Sequence, residues 1–196
     1  MLTAKLPELS VEDYLAGELD SQIKHEYIDG AVYAMSGGTR EHAVIAANIL
    51  VLMMGHLRGR QCQAFNSDLK VHVAAVNCYY YSDVSVSCDS PDIGPPSGRQ
   101  FIEHPCLLVE VLSKTTENVD RREKLLAYQT LPSLQEYVLV DQLRVQVEVY
   151  RRVEQGWVHE TLSPFDELHL HSVHLRTGLA AIYTNVEFAA PVDAEP

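Results

Sequence analysis

Glu110 is the residue whose surroundings most strongly indicate chemistry. It lies inside Pro105–Leu112, a continuous apolar run typical of a strand that is buried on both faces. A carboxylate is costly in such a place unless it is paired, protonated or bound to a metal ion. Because its neighbours in the strand are apolar, we expect its partner to come from another element.

Asp83 is the candidate partner. Alternation along the strand-like segment 78–87 puts it on a polar and aromatic face, between Tyr81 and Ser85. If its strand is next to that of Glu110, the two carboxylates can bind one divalent cation. Oxygen ligands favour Mg²⁺ or Mn²⁺ over zinc. The alternative is a buried acid neutralised by an arginine, with Asp83 an exposed strand residue.

Lys124 is the candidate cation. It follows Asp120 by four residues on a helix predicted over 117–131, so the two side chains share one face. Because this helix starts beside the strand of Glu110, Lys124 can turn back over a bound metal. There its ammonium group would orient a water or stabilise negative charge on a phosphate. The alternative is a solvated helix lysine paired with Asp120.

The elements that position these residues follow from capping, turn and periodicity signals. Ser10 caps a short helix that Gly17 ends, and Thr39 caps a long apolar helix that runs to about Arg58. Asp29-Gly30 predicts a hairpin between 24–28 and 31–35. Further strands are predicted over 69–73, 78–87, 105–112, 136–140, 145–151, 157–162 and 169–173, with a loop over 89–98 and a short helix near 175–183. This order predicts an α/β class fold, an α+β mixed central sheet flanked by helices.

Composition limits the possible functions. The chain has 196 residues, 46% of them hydrophobic, which excludes a disordered protein. We expect one domain over residues 1–188 and a disordered tail over 189–196. The formal net charge of −12 means that any nucleic acid must be bound by a local basic patch, and Arg121 and Arg122 are the densest one.

Targeting signals and cysteine spacing add little chemistry. The chain has no apolar run of membrane-spanning length and no basic, apolar leader, which predicts a cytoplasmic protein without membrane contact. Its four cysteines form no CxxC pair, so we interpret them as structural thiols that need no disulfide. Tyr79, Tyr80 and Tyr81 are interpreted as packed β structure, and a base-stacking surface is the alternative.

Several of these motifs, in this order, resemble a large bacterial family of restriction-endonuclease-like proteins within the PD-(D/E)xK nuclease superfamily. The resemblance covers about residues 9–183. It is carried by the segments 26–30, 35–37, 83–86, 105–113 and 136–140, together with His42, Thr116, Asp120, Arg121 and Lys124. It implies a restriction-endonuclease-like core and metal-dependent cleavage of DNA.

The resemblance also implies roles for particular residues. Asp83 and Glu110 would be the metal ligands, and Glu26 would add a third carboxylate to the catalytic cluster. The chain departs from the pattern at Ser82, where proline is usual, and at Leu112, where the strand lysine is expected. The resemblance suggests that Lys124 replaces that lysine from the helix. We expect His42 to face either the acidic cleft or Glu26.

The sequence therefore predicts a Mg²⁺- or Mn²⁺-dependent endonuclease that hydrolyses phosphodiester bonds of DNA. The alternative is a catalytically inactive protein that keeps the nuclease fold and acts as a DNA- or protein-binding or assembly module. A homodimer built on the long apolar helix and the C-terminal strands is compatible with both, because cutting two strands together needs two clefts.

Overall fold

A computed structural model describes residues 8–95 and 98–188 of the chain. The predicted tail over 189–196 lies outside these residues. No helix within the described part is both long and apolar enough to cross a membrane.

The described chain contains short helices and many strands. The helices are α1 (Val11–Asp20), α2 (Arg40–Leu57), α3 (Ser90–Ile93), α4 (Leu125–Gln129) and α5 (Leu179–Ile182), and a π-helical segment over Val119–Lys124 leads into α4. The strands are β1 (His25–Ile28), β2 (Ala31–Ala34), β3 (Gln63–Asn66), β4 (Lys70–Val73), β5 (Cys78–Tyr80), β6 (Val84–Ser87), β7 (Phe101–Ile102), β8 (Pro105–Leu112), β9 (Glu136–Asp141), β10 (Val147–Val153), β11 (Gly156–Leu162), β12 (Glu167–Leu170) and β13 (Leu175–Gly178).

Two mixed sheets and one hairpin make up the β structure. The larger sheet has six strands in the order β11-β10-β9-β8-β6-β3, and only β8 and β9 in it are parallel. The smaller sheet has five strands in the order β2-β1-β5-β4-β7, with β4 and β7 parallel. The predicted mixed sheet flanked by helices is confirmed.

Strand β8 is the centre of the molecule because both faces of the six-stranded sheet are covered. Val109 and Val111 join the core under α2, whereas Leu108 and Leu112 join a second core with α4 and the five-stranded sheet. Every residue of β8 is buried. Strand alternation therefore directs Glu110 toward the α4 side, together with Leu108 and Leu112.

The segment 78–87 differs from its prediction in a way that matters for the site. The chain leaves the five-stranded sheet after Tyr80 and enters the six-stranded sheet at Val84. The expected alternation is broken at 81–83, and Asp83 lies at the crossing between the sheets. Tyr79, Tyr80 and Tyr81 are buried, as expected for packed β structure.

Other boundaries also differ from the predictions. Ser10 caps α1 through the backbone N–H of Asp13, but the helix continues past Gly17 to Asp20, since a helix interior tolerates one glycine. The 89–98 loop contains α3. The C-terminal helix predicted over 175–183 is a strand, β13, followed by α5, because the preceding turn pairs β12 with β13 as a hairpin.

The cysteines are the other difference. Cys62 and Cys88 form a disulfide, whereas Cys78 and Cys106 are free and buried. The interpretation of all four as free structural thiols is therefore wrong for one pair. Cysteine spacing alone did not reveal this pair, because the two residues are 26 positions apart and meet only through the pairing of β3 with β6.

Glu136 at the start of β9 fastens the C-terminal hairpin to the sheet. Its carboxylate is fully buried and accepts hydrogen bonds from Nε of Arg151 at 2.8 Å, the His171 backbone N–H at 3.1 Å, and the Ser172 backbone N–H and hydroxyl at 2.9 and 2.6 Å. These bonds compensate the burial of the charge.

We expect Glu136→Ala to lower the free energy of unfolding by about 3–5 kcal/mol, because it leaves a partly buried guanidinium group and two backbone donors without their acceptor. Glu160→Ala is the matched control. Glu160 contacts the same arginine at 3.4 Å from a half-exposed position, so the loss there should stay below about 1 kcal/mol. Urea unfolding measures both, and equal losses would contradict the role of Glu136.

Candidate active site

Asp83 reaches strand β8 because of the register between the sheet strands. Val84 of β6 pairs with Val109 of β8, so one further step brings Asp83 opposite Glu110. Its Oδ2 accepts a hydrogen bond of 2.7 Å from the backbone N–H of Val111. The two acids predicted to meet from distant parts of the chain therefore come together where the sheets cross.

His42 contacts the same aspartate from the first turn of α2. Thr39 caps this helix by accepting a hydrogen bond from the His42 backbone N–H, which fixes the start of the helix beside the crossing. Nε2 of His42 lies 3.3 Å from Oδ2 of Asp83. Of the two orientations left open by the sequence, the structure has His42 facing Asp83.

Lys124 provides the positive charge at this place. Its ammonium group lies 3.2 Å from Glu110, 3.0 Å from Glu26 and 3.4 Å from Asp120, and the lysine is only 5% exposed. The backbone oxygen of Tyr81 is 3.4 Å away. The sequence prediction that Lys124 turns toward the strand of Glu110 agrees with this geometry, and its pairing with Asp120 is also present.

The π-helical segment helps to explain this orientation. Residues 119–124 form a wider turn than an α-helix, and such turns are frequent at functional sites. Both Asp120 and Lys124 in this segment are buried. The hydroxyl of Tyr137 on β9 donates to the backbone oxygen of Asp120 at 3.1 Å and holds the segment against the sheet.

Glu26 and Tyr128 complete the surroundings of Lys124. Glu26 comes from β1 and also accepts a hydrogen bond of 3.2 Å from the backbone N–H of Tyr81. The hydroxyl of Tyr128 donates to Oε1 of Glu110 at 3.2 Å. Glu26 lies in the cluster to which the family resemblance assigned it, whereas sequence reasoning missed Tyr128 and gave Asp120 no role beyond pairing with Lys124. The spacing 120, 124, 128 along one helix was the available signal.

Burial governs the electrostatics of this cluster. It raises the pKa of Glu110 well above its usual range, and the ammonium group of Lys124 only opposes this shift. It also raises the pKa of Asp120. Burial by itself would lower the pKa of Lys124, but Glu110, Glu26 and Asp120 together outweigh it and raise that pKa.

These side chains face a small cavity that opens next to a larger groove. The acidic cavity has a volume of about 80 Å³ and is lined by Asp83, Glu110, Asp120, Lys124 and His42. A larger space, which we name the α2 groove, has a volume of about 500 Å³, and its lining includes Lys24, Asn66 and, from α2, Ala43, Ala46, Ala47 and Leu50. Residues 35–38, His42 and Asp83 line both spaces, so the groove leads to the acids.

The donor set of the acidic cavity fits a hard divalent cation. Asp83 and Glu110 offer carboxylate oxygens, and Mg²⁺ typically uses one or two carboxylates with waters and substrate phosphate. Oδ1 of Asp120 is buried there, and its contact with Nζ of Lys124 lacks hydrogen-bond geometry. Within the described residues, no three His, Cys, Asp or Glu side chains are grouped so that they could hold a metal ion by themselves.

The hydrogen bond to Asp83 raises the pKa of His42, against the opposing effect of burial. The protonated form of His42 therefore stabilises the folded state. This stabilisation is complete below about pH 6.5, the usual pKa of histidine, and is lost as the pH rises through the higher pKa that His42 has in the folded protein.

We expect Asp83→Asn to lower the pKa of His42 in an NMR titration. The control Glu154→Gln, at the exposed β10–β11 turn, should leave it unchanged. An unaltered pKa in Asp83→Asn would show that Asp83 does not control this histidine.

Comparison with known proteins gives relatives along nearly the whole chain. An uncharacterized protein of Synechocystis sp. (strain ATCC 27184 / PCC 6803 / Kazusa), slr1290, is 40% identical over 187 residues, which are 95% of this chain and 97% of that protein. A second one from the same organism, sll1609, is 31% identical over 159 residues, or 81% and 89% of the two chains.

The fold has a counterpart among solved structures. The crystal structure of a putative nuclease belonging to DUF820 from Anabaena variabilis ATCC 29413 superposes with a TM-score of 0.73 at 17% identity, covering 89% of this chain and 97% of that one. The fold is therefore restriction-endonuclease-like. The model of the Uma2 family, described as putative restriction endonuclease, matches residues 11–183. The resemblance seen in the sequence motifs is confirmed, and the chain belongs to the Uma2 family.

Proposed function

We propose that this protein is a Mg²⁺- or Mn²⁺-dependent endonuclease that hydrolyses phosphodiester bonds of DNA. The observation that carries the proposal is the meeting of Asp83, Glu110 and Lys124 in one cavity at the end of an open groove. The family name and the structural neighbour described as a putative nuclease support the same chemistry.

The charge balance of the cluster supports a metal site. Three acids, Glu26, Glu110 and Asp120, lie within ion-pair distance of Lys124. Asp83 lines the same cavity and pairs with His42. Glu110 and Asp120 are almost fully buried, so their ionised forms need more positive charge than Lys124 supplies. In this proposal Asp83 and Glu110 hold the cation, which would activate water and stabilise the leaving oxygen.

The remaining residues act on the substrate or on each other. Lys124 stabilises negative charge that develops on the scissile phosphate, in a site with little water where such an interaction is strong. Glu26 positions Lys124 through their ion pair, and Tyr128 positions Glu110 through its hydroxyl hydrogen bond. His42 holds the carboxylate of Asp83 from the groove side.

Purified protein with Mg²⁺ or Mn²⁺ is expected to nick plasmid DNA. Asp83→Asn and Glu110→Gln should each reduce the nicking rate by more than about 100-fold, because each removes a carboxylate that would hold the cation on which the reaction depends. Glu154→Gln should cut like the wild type. Equal rates for either cavity variant and the wild type would refute the assignment, provided that circular dichroism shows both variants folded.

The alternative function is a nuclease fold that has lost catalysis and binds DNA or a protein partner. Two observations favour it: Leu112 stands where the family pattern has a strand lysine, and Lys124 already contacts three carboxylates. The homodimer, the cytoplasmic location and the domain limits 1–188 stay predictions under either function.

Titration calorimetry with Mg²⁺ or Mn²⁺ separates the two functions. If the cavity binds the cation, binding heat should appear for the wild type and disappear in Asp83→Asn. A metal concentration of 100 times the dissociation constant should also stabilise the wild type by about 2.7 kcal/mol. Absence of binding at millimolar metal would leave the binding or assembly function as the better explanation.

A further inference from the structure

A second buried cation, Lys70, lies against the ring of Tyr81, whose backbone contacts the acidic cavity. This residue begins β4 and is only 1% exposed. Its ammonium group donates to the side-chain oxygen of Gln100 at 3.2 Å and lies over the rings of Tyr14 and Tyr81, 5.9 and 5.3 Å from their centres. No carboxylate of the described residues forms an ion pair with it.

Burying this ammonium group has a cost that its contacts do not cover. One neutral acceptor satisfies one of its three donors, and the rings add a modest attraction. Burial lowers the pKa of Lys70, and the nearby Glu18 only opposes this. An apolar side chain of similar length would fill the same space without that cost. The lysine therefore needs an explanation beyond packing.

Lys70 faces a cavity of about 390 Å³, which we name the lysine pocket and which Lys24, Arg99, Glu18 and Asp68 also line. Two of its three cations are already ion-paired within the protein, Lys24 with Asp68 at 2.6 Å and Arg99 with Glu103 at 2.7 Å. Glu18 already accepts hydrogen bonds from His25 and Tyr81, so part of the acidic charge is engaged within the protein. Among the pocket's three cations, Lys70 is therefore the one for which the described residues provide no ion-paired carboxylate, and an anionic ligand would supply its counter-charge.

Tyr81 connects this pocket to the acidic cavity. Its ring lies under the ammonium groups of Lys70 and Lys24, at 5.3 and 5.5 Å from the ring centre. Its backbone contacts Glu26 and Lys124 on the other side. The lysine pocket also shares Ile23 and Lys24 with the α2 groove. A nucleic-acid strand that lies in the groove would therefore pass both the lysine pocket and the acidic cavity.

We propose that the lysine pocket binds a backbone phosphate of the nucleic-acid strand whose neighbouring phosphate lies at the acidic cavity, with Lys70 as the main cation. This inference rests on the proposed function for its substrate class. A phosphate oxygen offers the acceptors that Lys70 lacks, and its charge supplies the missing counter-ion. Lys24 and Arg99 would face the same strand from the rim of the pocket.

The experiment compares wild-type protein with Lys70→Met, and uses Arg58→Met as the control that removes an exposed charge outside both cavities. A fluorescent single-stranded DNA without terminal phosphates is titrated in EDTA, which prevents cleavage, at several salt concentrations. We expect Lys70→Met to weaken binding about tenfold, and the log–log salt slope to fall by about 0.7, the value for one phosphate contact of a single strand. Arg58→Met should change neither by as much.

The melting temperature is a second readout. A purely structural role of Lys70 predicts a lower melting temperature for Lys70→Met, whereas the binding role predicts an unchanged or higher one. Because Lys70→Met removes a buried charge, it should melt at or above the wild-type temperature while it binds more weakly. A lower melting temperature with unchanged binding would mean that Lys70 is structural, and would overturn the proposal. If Lys70→Met does not fold, the same DNA titration is carried out with Lys24→Met, at the rim of the pocket. An unchanged salt slope in Lys24→Met would also overturn the proposal.

The outcome is independent of the nuclease test. Binding that depends on Lys70, in a protein that cuts no DNA with Mg²⁺, would keep the pocket and refute the endonuclease. Cleavage that is unaffected by Lys70→Met, with an unchanged salt slope, would keep the endonuclease and refute the pocket. Failure of the wild type to bind the oligonucleotide would also refute the pocket.

Discussion

The ammonium group of Lys124 is the interaction on which the site depends. It is buried within ion-pair distance of Glu26, Glu110 and Asp120, which belong to a strand of each sheet and to the π-helical segment. Three separate parts of the chain are thus joined through one charge. In a surrounding of low polarity these attractions are strong. They are also required for stability, because burying any of these carboxylates in its ionised form without a partner would cost free energy.

The crossing between the two sheets explains why such a cluster can form at all. Within a regular strand, residues 81–83 would have their backbone groups occupied by neighbouring strands. At the crossing, the backbone of Tyr81 is free to contact Glu26 and Lys124, and the side chain of Asp83 takes a backbone N–H of β8. The interruption of secondary structure and the assembly of the acids are therefore the same structural event.

Much of the site could be predicted from the sequence because its signals are local or energetic. An acid inside an apolar strand identified Glu110, and helical spacing placed Asp120 beside Lys124. Strand alternation proposed Asp83 as the partner of Glu110, and the family resemblance added Glu26. The sequence could not reveal the break at 81–83, since a run of β-forming tyrosines looks like one continuous strand. It also could not reveal Tyr128 as a partner of Glu110, because packing of α4 on the sheet decides that contact.

The Cys62–Cys88 link has a mechanical meaning for the edge of the larger sheet. The two cysteines flank the pairing of β3 with β6, immediately outside the partners Gln63 and Ser87. Ala64 packs into the core under α2 and Phe65 into the opposite core. A shift of β3 by a single position would exchange them, forcing a ring into a space shaped for a methyl group. The covalent tie blocks that slippage, so the outermost strand keeps its alignment although it has a neighbour on one side only.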